Sequence, residues 1–339
     1  MLIVRTAIKH AHVLVLALLL GSGWLVLESR SSALASRPTA AREVTCTYLA
    51  QIKHLPQNAQ LVHVWVPLAK TGREQRILSR DVRAPVPYTI AQDPDYGNDL
   101  LHVALEAPIP DQLEITVDYR AQLLGGNAAA ADPPPTVEEL HRDLQPDRLV
   151  IIDDEVRTRA TQATAGRFTP VARAKGIYDK VRSSMTYDKT VPGWGRGDTR
   201  RACLLGKGNC TDFHSLFISM ARAERIPARF KIGVVIPQEP SGVIPGYHCW
   251  AEFYEGGQGW VPVDASEAWK HPEQADYYFG AHDPNRFLIS TGRDVQLVPR
   301  QHGDSVNIFF APYVEVNGQT FSDVGVEVRF ADLQHGGAT

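Results

Sequence analysis

Cys210, His248 and Asp264 occur in the order that suits a thiol nucleophile, its base and an orienting carboxylate. They lie in three glycine-marked blocks: Gly208-Asn209-Cys210-Thr211-Asp212, Gly246-Tyr247-His248-Cys249-Trp250 and Gly259-Trp260-Val261-Pro262-Val263-Asp264. A cysteine attacks an amide carbonyl as its thiolate, and at the ordinary thiol pKa of about 8.5 it is mostly protonated near neutrality, so its surroundings must ionise it. The apolar stripe Phe213, Leu216, Phe217 and Met220 predicts a helix with Cys210 at its N-terminal edge. There, exposed N–H groups and the helix dipole favour a thiolate and can also hold an oxyanion. Asn209 suits the cap, and Gly206 and Gly208 allow close backbone approach.

Each residue also has a plainer reading. An isolated cysteine is usually a small buried hydrophobe, and an aspartate after a strand often makes only local bonds. The hairpin links the two outer members. A turn centred near Gly257 sets His248 opposite about residue 266, with Asp264 two positions away on the same face. Such diagonal neighbours are within side-chain reach, and a register slip of one would break the link. His214, four residues after Cys210, is a rival base or a partner in a metal site. Cys203, Cys210, His214 and Cys249 contain no CxxC or HExxH pair, so neither a metal nor another cofactor is expected. Strand alternation turns Cys249 away from His248 into a core position.

The elements that must position these residues begin with period-two runs between residues 43 and 124, among them Leu61-Val62-His63-Val64-Trp65-Val66. These predict an antiparallel β-sandwich domain without a catalytic cluster. A linker spans 125–136, from Gly125-Gly126 to Pro133-Pro134-Pro135, and a catalytic domain with C-terminal strands spans 137–335. Its period first turns helical, at Val156, Ala160 and Ala163 and again after Thr169-Pro170. Strands follow at 228–236, 248–254 and 259–263, and further ones at 288–290, 295–298, 306–310 and 324–330. Helices followed by an antiparallel sheet give an α+β class.

Residues 1–35 read as a signal peptide. Arg5 and Lys9 precede an apolar run from Val13 to Leu27, and Ala33-Leu34-Ala35 offers a cleavage site. The run falls short of the roughly 20 apolar residues of a membrane span. The protein is therefore expected to be exported, periplasmic or extracellular, and tethered to a membrane only if the leader stays uncleaved. A formal charge of −3, with no Lys/Arg cluster and no phosphate loop, gives no footprint for nucleic acid. Export makes disulfides possible, and the sequence leaves open whether any of Cys46, Cys203 and Cys249 pair. Oligomeric state is likewise not legible.

Residues 206–266, together with Ala223-Glu224-Arg225-Ile226-Pro227-Ala228-Arg229, resemble the core of the transglutaminase-like superfamily of papain-type cysteine enzymes. Glu224-Arg225 departs from the small residue and glycine common in that family before Ile-Pro. The resemblance implies Cys210 as nucleophile, His248 as general base and then acid, and Asp264 as orienter. Members differ in the second oxyanion donor, for which Trp194, and after it Tyr187, are candidates. The segment before the linker resembles, more loosely, an accessory domain found ahead of this core in exported bacterial members. The resemblance implies an exported thiol enzyme acting on a protein or peptide substrate at a peptide or glutamine side-chain amide. Water as acceptor gives a protease or amidase, and an amine gives a transamidase. The alternative is a non-catalytic binding or envelope-scaffold module that retains the fold.

Overall fold

The computed structural model describes residues 41–126 and 134–333. The leader read at 1–35 and most of the linker lie outside them. Alternating side chains build β1 (Ala41–Ile52), β2 (Leu61–Leu68), β3 (Gln75–Arg83), β4 (Thr89–Gln92), β5 (Asp99–Glu106) and β6 (Leu113–Leu124). In β1 the residues Val44, Cys46, Tyr48, Ala50 and Ile52 point inward while their neighbours are partly exposed, as a half-buried strand requires.

The next region forms α1 (Val137–Arg142), α2 (Asp154–Thr164), α3 (Pro170–Ser184), β7 (Thr186–Tyr187), α4 (Thr199–Leu205), β8 (Lys207–Gly208) and α5 (Cys210–Ala223). It continues with β9 (Ala228–Val235), β10 (Ser241–Ile244), β11 (His248–Glu255), β12 (Gly259–Val263), α6 (Ala265–Lys270) and β13 (Arg286–Thr291). The chain closes with β14 (Tyr313–Val316), β15 (Gln319–Phe321) and β16 (Val324–Asp332). The Thr169 hydroxyl accepts the Ala172 N–H and Pro170 opens α3, so the cap and the first-turn proline act together.

Two five-stranded sheets, ordered β10-β16-β1-β6-β3 and β15-β14-β2-β5-β4, face each other as a sandwich. This differs from the domain boundaries read from sequence. The last strands do not extend the catalytic region: β16 pairs with β1 from Val44 opposite Asp332 to Ile52 opposite Val324, and β14 pairs with β2. Without them β1 and β2 would be open edges with unpaired N–H and C=O groups. The stretches read as strands at 295–298 and 306–310 make only an isolated bridge, Val295 to Val306. Their apolar residues instead bury Trp65 and Leu100 on the outer face of the sandwich, through Leu297 and Phe309.

The remaining sheet, ordered β12-β11-β9-β13, carries the helices. Helix α5 lies at the centre, with Phe213, Leu216, Phe217 and Met220 all buried against Phe230, Ile232, Ala251 and Phe253. Each such side chain contributes about 1.5–3 kcal/mol by leaving water. β9 runs from this core into the sandwich core, where Val234 and Ile236 pack with Phe287 and Ile289 of β13. At Gly233 the two strands come so close that an added Cβ would stand 2.0 Å from the Phe287 carbonyl oxygen. Gly233→Ala is therefore expected to lower stability by about 3 kcal/mol by overpacking. Urea unfolding would measure this, and a midpoint equal to wild type would refute it. Among the described residues, no helix is long and apolar enough to cross a membrane.

Candidate active site

Asn209 caps α5. Its side-chain oxygen accepts the Thr211 N–H at 3.0 Å, and its carbonyl takes the N–H groups of Asp212 and Phe213, each at 3.1 Å. The N–H of Cys210 is thus the first-turn donor left for an oxyanion. Asp212, wholly buried at the third helical position, accepts the N–H groups of Asn209, Gly195 and Gly197. It thereby fastens the 192–198 loop to the helix mouth. A side chain at Gly208 would collide with Asp212, with a Cβ 2.2 Å from its Oδ2. These local bonds hold Cys210, only 1 % exposed, at the start of the helix.

The hairpin of β11 and β12 has the register read from sequence, with Ala251 opposite Val263 and Glu255 opposite Gly259. Asp264 lies just beyond β12 as the cap of α6, where its Oδ1 accepts the Glu267 N–H at 2.9 Å and the Ser266 hydroxyl at 2.8 Å. Its Oδ2 stands 2.7 Å from His248 Nε2. The imidazole also lies beside the Cys210 side chain, close enough for each to shift the other's titration. With Nε2 committed to Asp264, Nδ1 is the ring nitrogen left to serve the sulfur. The structure thus brings Cys210, His248 and Asp264 together in one chain of contacts.

Burial of Cys210 opposes its ionisation, but hydrogen bonds from Cys249 and His248 and the charge of His248 outweigh it, so the thiol titrates well below its ordinary range. Burial likewise opposes a charge on His248, yet the carboxylate of Asp264 and the contact with Cys210 raise the imidazole to about 9. Against its own burial, Asp264 is held well below the usual carboxylate range by His248 and Arg286. The site therefore favours a thiolate–imidazolium pair braced by an anion.

The other residues singled out from sequence occupy distinct places. Tyr187 is stacked on Trp269, with ring centres 6.3 Å apart, and burial together with the fields of Cys210 and Cys249 raises its hydroxyl, which puts it electrostatically beside the thiol. Trp194 is 38 % exposed on the glycine-rich loop, with the Lys189 ammonium 5.8 Å from its ring centre. His214 is fully buried. Its Nε2 lies 3.2 Å from the Ala265 nitrogen and 3.4 Å from Asp264 Oδ1, which sets it against one carboxylate oxygen while His248 holds the other. Cys249 is buried, 3.5 Å from the Thr211 hydroxyl, and also reaches the Cys210 sulfur. All four cysteines are free, and among the described residues no cluster of three His, Cys, Asp or Glu is placed to hold a metal.

Two site residues escaped the sequence reading. The Tyr247 hydroxyl accepts the Asn209 side-chain amide at 2.9 Å, which ties the turn before His248 to the helix that carries the thiol. Arg286, 1 % exposed, donates to Asp264 Oδ2 at 2.6 Å. Adjacency to His248 was the available signal for Tyr247. Arg286 has none, because its strand lies 22 residues beyond Asp264 with no motif between. A cleft of about 730 Å³ opens beside His248, bordered by Tyr247, Glu267, Lys270, Tyr277, Asn285 and Arg286.

Fold and site together are those of a thiol enzyme. Residues 157–265 match the model of the transglutaminase-like superfamily, and the core they form is transglutaminase-like. An uncharacterised protein of Haemophilus influenzae is 26 % identical over 307 residues, covering 78 % of this chain and 83 % of its own. The crystal structure of a protein named as a proposed cysteine protease from Cytophaga hutchinsonii shares the fold, with a TM-score of 0.58 at 16 % identity over 88 % of this chain and 93 % of the other. The periplasmic domain of TgpA from Pseudomonas aeruginosa is more distant, with a TM-score of 0.36 at 16 % identity, covering 68 % of this chain and 90 % of that one.

Proposed function

We propose that this protein is an exported cysteine peptidase or amidase whose working residues are Cys210, His248 and Asp264. The observation that carries the reading is the 2.7 Å contact of His248 with Asp264 beside Cys210, which opens a capped helix N-terminus. In this reading the thiolate adds to a peptide or glutamine side-chain carbonyl. The oxyanion that forms takes the N–H of Cys210 and a second donor, for which Trp194 and Tyr187 are the candidates. His248 protonates the departing amine, leaving a thioester on Cys210, and then accepts a proton from the acceptor that cleaves it.

Charged and polar groups border the cleft beside His248, among them Glu267, Lys270, Asn285 and Arg286, so the approach to the buried imidazole is polar. A polar approach suits water as the acceptor better than an apolar channel would. Export is proposed on the composition of residues 1–35 alone.

The reading is tested by incubating the full chain with peptide pools, with and without a primary amine, and following products and intact mass. Released peptide acids and a transient thioester adduct are expected. Isopeptide products in place of acids would make the enzyme a transamidase, and no adduct with any peptide would point to a non-catalytic binding module.

A further inference from the structure

β13 is the edge strand of the core sheet, and side chains of the β-sandwich hold its outer edge. Gln75, fully buried at the start of β3, donates its amide to the Leu288 carbonyl at 2.9 Å and accepts the Leu288 N–H at 2.8 Å. Asn98 does the same at Thr291, donating to its carbonyl at 2.8 Å and accepting its N–H at 2.7 Å. Arg42 of β1 grips Asn285 Oδ1, just ahead of the strand (2.7 Å), and the carbonyls of Ile236 (3.1 Å) and Pro237 (2.6 Å), just past β9. A side-chain amide that gives one bond and accepts one at the same residue imitates a neighbouring strand, so the edge is closed without one.

Arg286 stands inside this clamped segment. Its guanidinium lies against Trp250 at 5.2 Å and Tyr278 at 5.8 Å, and its Nη2 is 3.6 Å from Asp283. Its Nη1 shares Asp264 Oδ2 with His248 Nε2, at 2.6 and 2.7 Å. We propose that Arg286 is a positioning residue, and that the β-sandwich serves the active site by clamping β13 so that this guanidinium fixes Asp264 and, through it, the His248 ring. The proposal rests on the Cys210, His248 and Asp264 reading and extends it to a module that carries no catalytic group of its own.

Burial makes the arrangement demanding. A stacked, planar guanidinium offers a fixed direction that a flexible ammonium does not reproduce. Asp264 is a hub, also faced by His214, the Ser266 hydroxyl and the Glu267 N–H, so a shift of its Oδ2 alters the ring that faces the sulfur. Misplacing a reacting group by about 1 Å can cost about a hundredfold in rate.

Gln75→Ala and Arg286→Lys, made in the full chain, test this through kcat, KM and the pH midpoint for alkylation of Cys210. For Arg286→Lys, kcat should fall about a hundredfold with KM within about twofold. For Gln75→Ala, kcat should fall about tenfold, and in both variants the alkylation midpoint should move up toward the ordinary thiol value of about 8.5. Folded variants that melt earlier but keep the wild-type kcat and midpoint would reduce the contacts to structural ones and overturn the proposal. If Arg286→Lys does not fold, Gln75→Ala and Asn98→Ala decide by the same readouts. A wild-type thiol that itself titrates ordinarily would contradict the proposed function; a low wild-type midpoint unchanged in the variants would contradict only the positioning role.

Discussion

Cys210→Ala is expected to abolish thioester formation and to lower amide turnover by about 10⁵-fold or more, the scale on which removal of a nucleophile acts. The substitution leaves the helix cap intact, because Asn209 and Asp212 bond through groups that the sulfur does not touch. His248 keeps its bond to Asp264, so stability should change by no more than about 1 kcal/mol. Turnover with intact-mass detection of the adduct, alongside a thermal melt, measures both. Adduct formation at wild-type rate in a folded Cys210→Ala protein would exclude this cysteine as the attacking group.

Asp264→Asn should have the second-largest effect. Neutral asparagine can still cap α6, but it no longer supplies the anion that raises His248 to about 9. Burial then dominates at the imidazole, and its pKa falls. The thiolate–imidazolium pair should therefore exist over a narrower pH range, closing from the alkaline side. In nucleophile triads, loss of this charge costs about 10⁴-fold in kcat. Arg286 would also lose its 2.6 Å partner while buried, which should reduce stability by about 3 kcal/mol. A pH–rate profile of the variant with its alkaline limb unmoved would show that Asp264 does not govern the ring.

Much of the site was legible because its determinants are local. Asn209 before an apolar stripe marks a helix mouth, and the Glu255-Gly256-Gly257-Gln258 turn sets the hairpin register that carries His248 and Asp264. Arg286 and the closure of the sandwich were not legible, for one physical reason. β16 pairs with β1 across nearly the whole chain, and Gln75 meets Leu288 across 213 positions. Alternation identifies a strand but not its partner. The segments 295–298 and 306–310 show the converse. Their period resembles that of strands, yet burial of Trp65 and Leu100 consumes their apolar residues without a ladder.

The most direct test of the account is the pH dependence of Cys210 alkylation by iodoacetamide in the wild-type protein, followed peptide by peptide so that Cys46, Cys203 and Cys249 are separated from it. Thiolate reactivity should already be present well below the ordinary thiol midpoint of about 8.5, with a further inflection near 9 as the His248 imidazolium loses its proton. A single titration at or above about 8.5 would contradict an ionised pair and with it the catalytic reading.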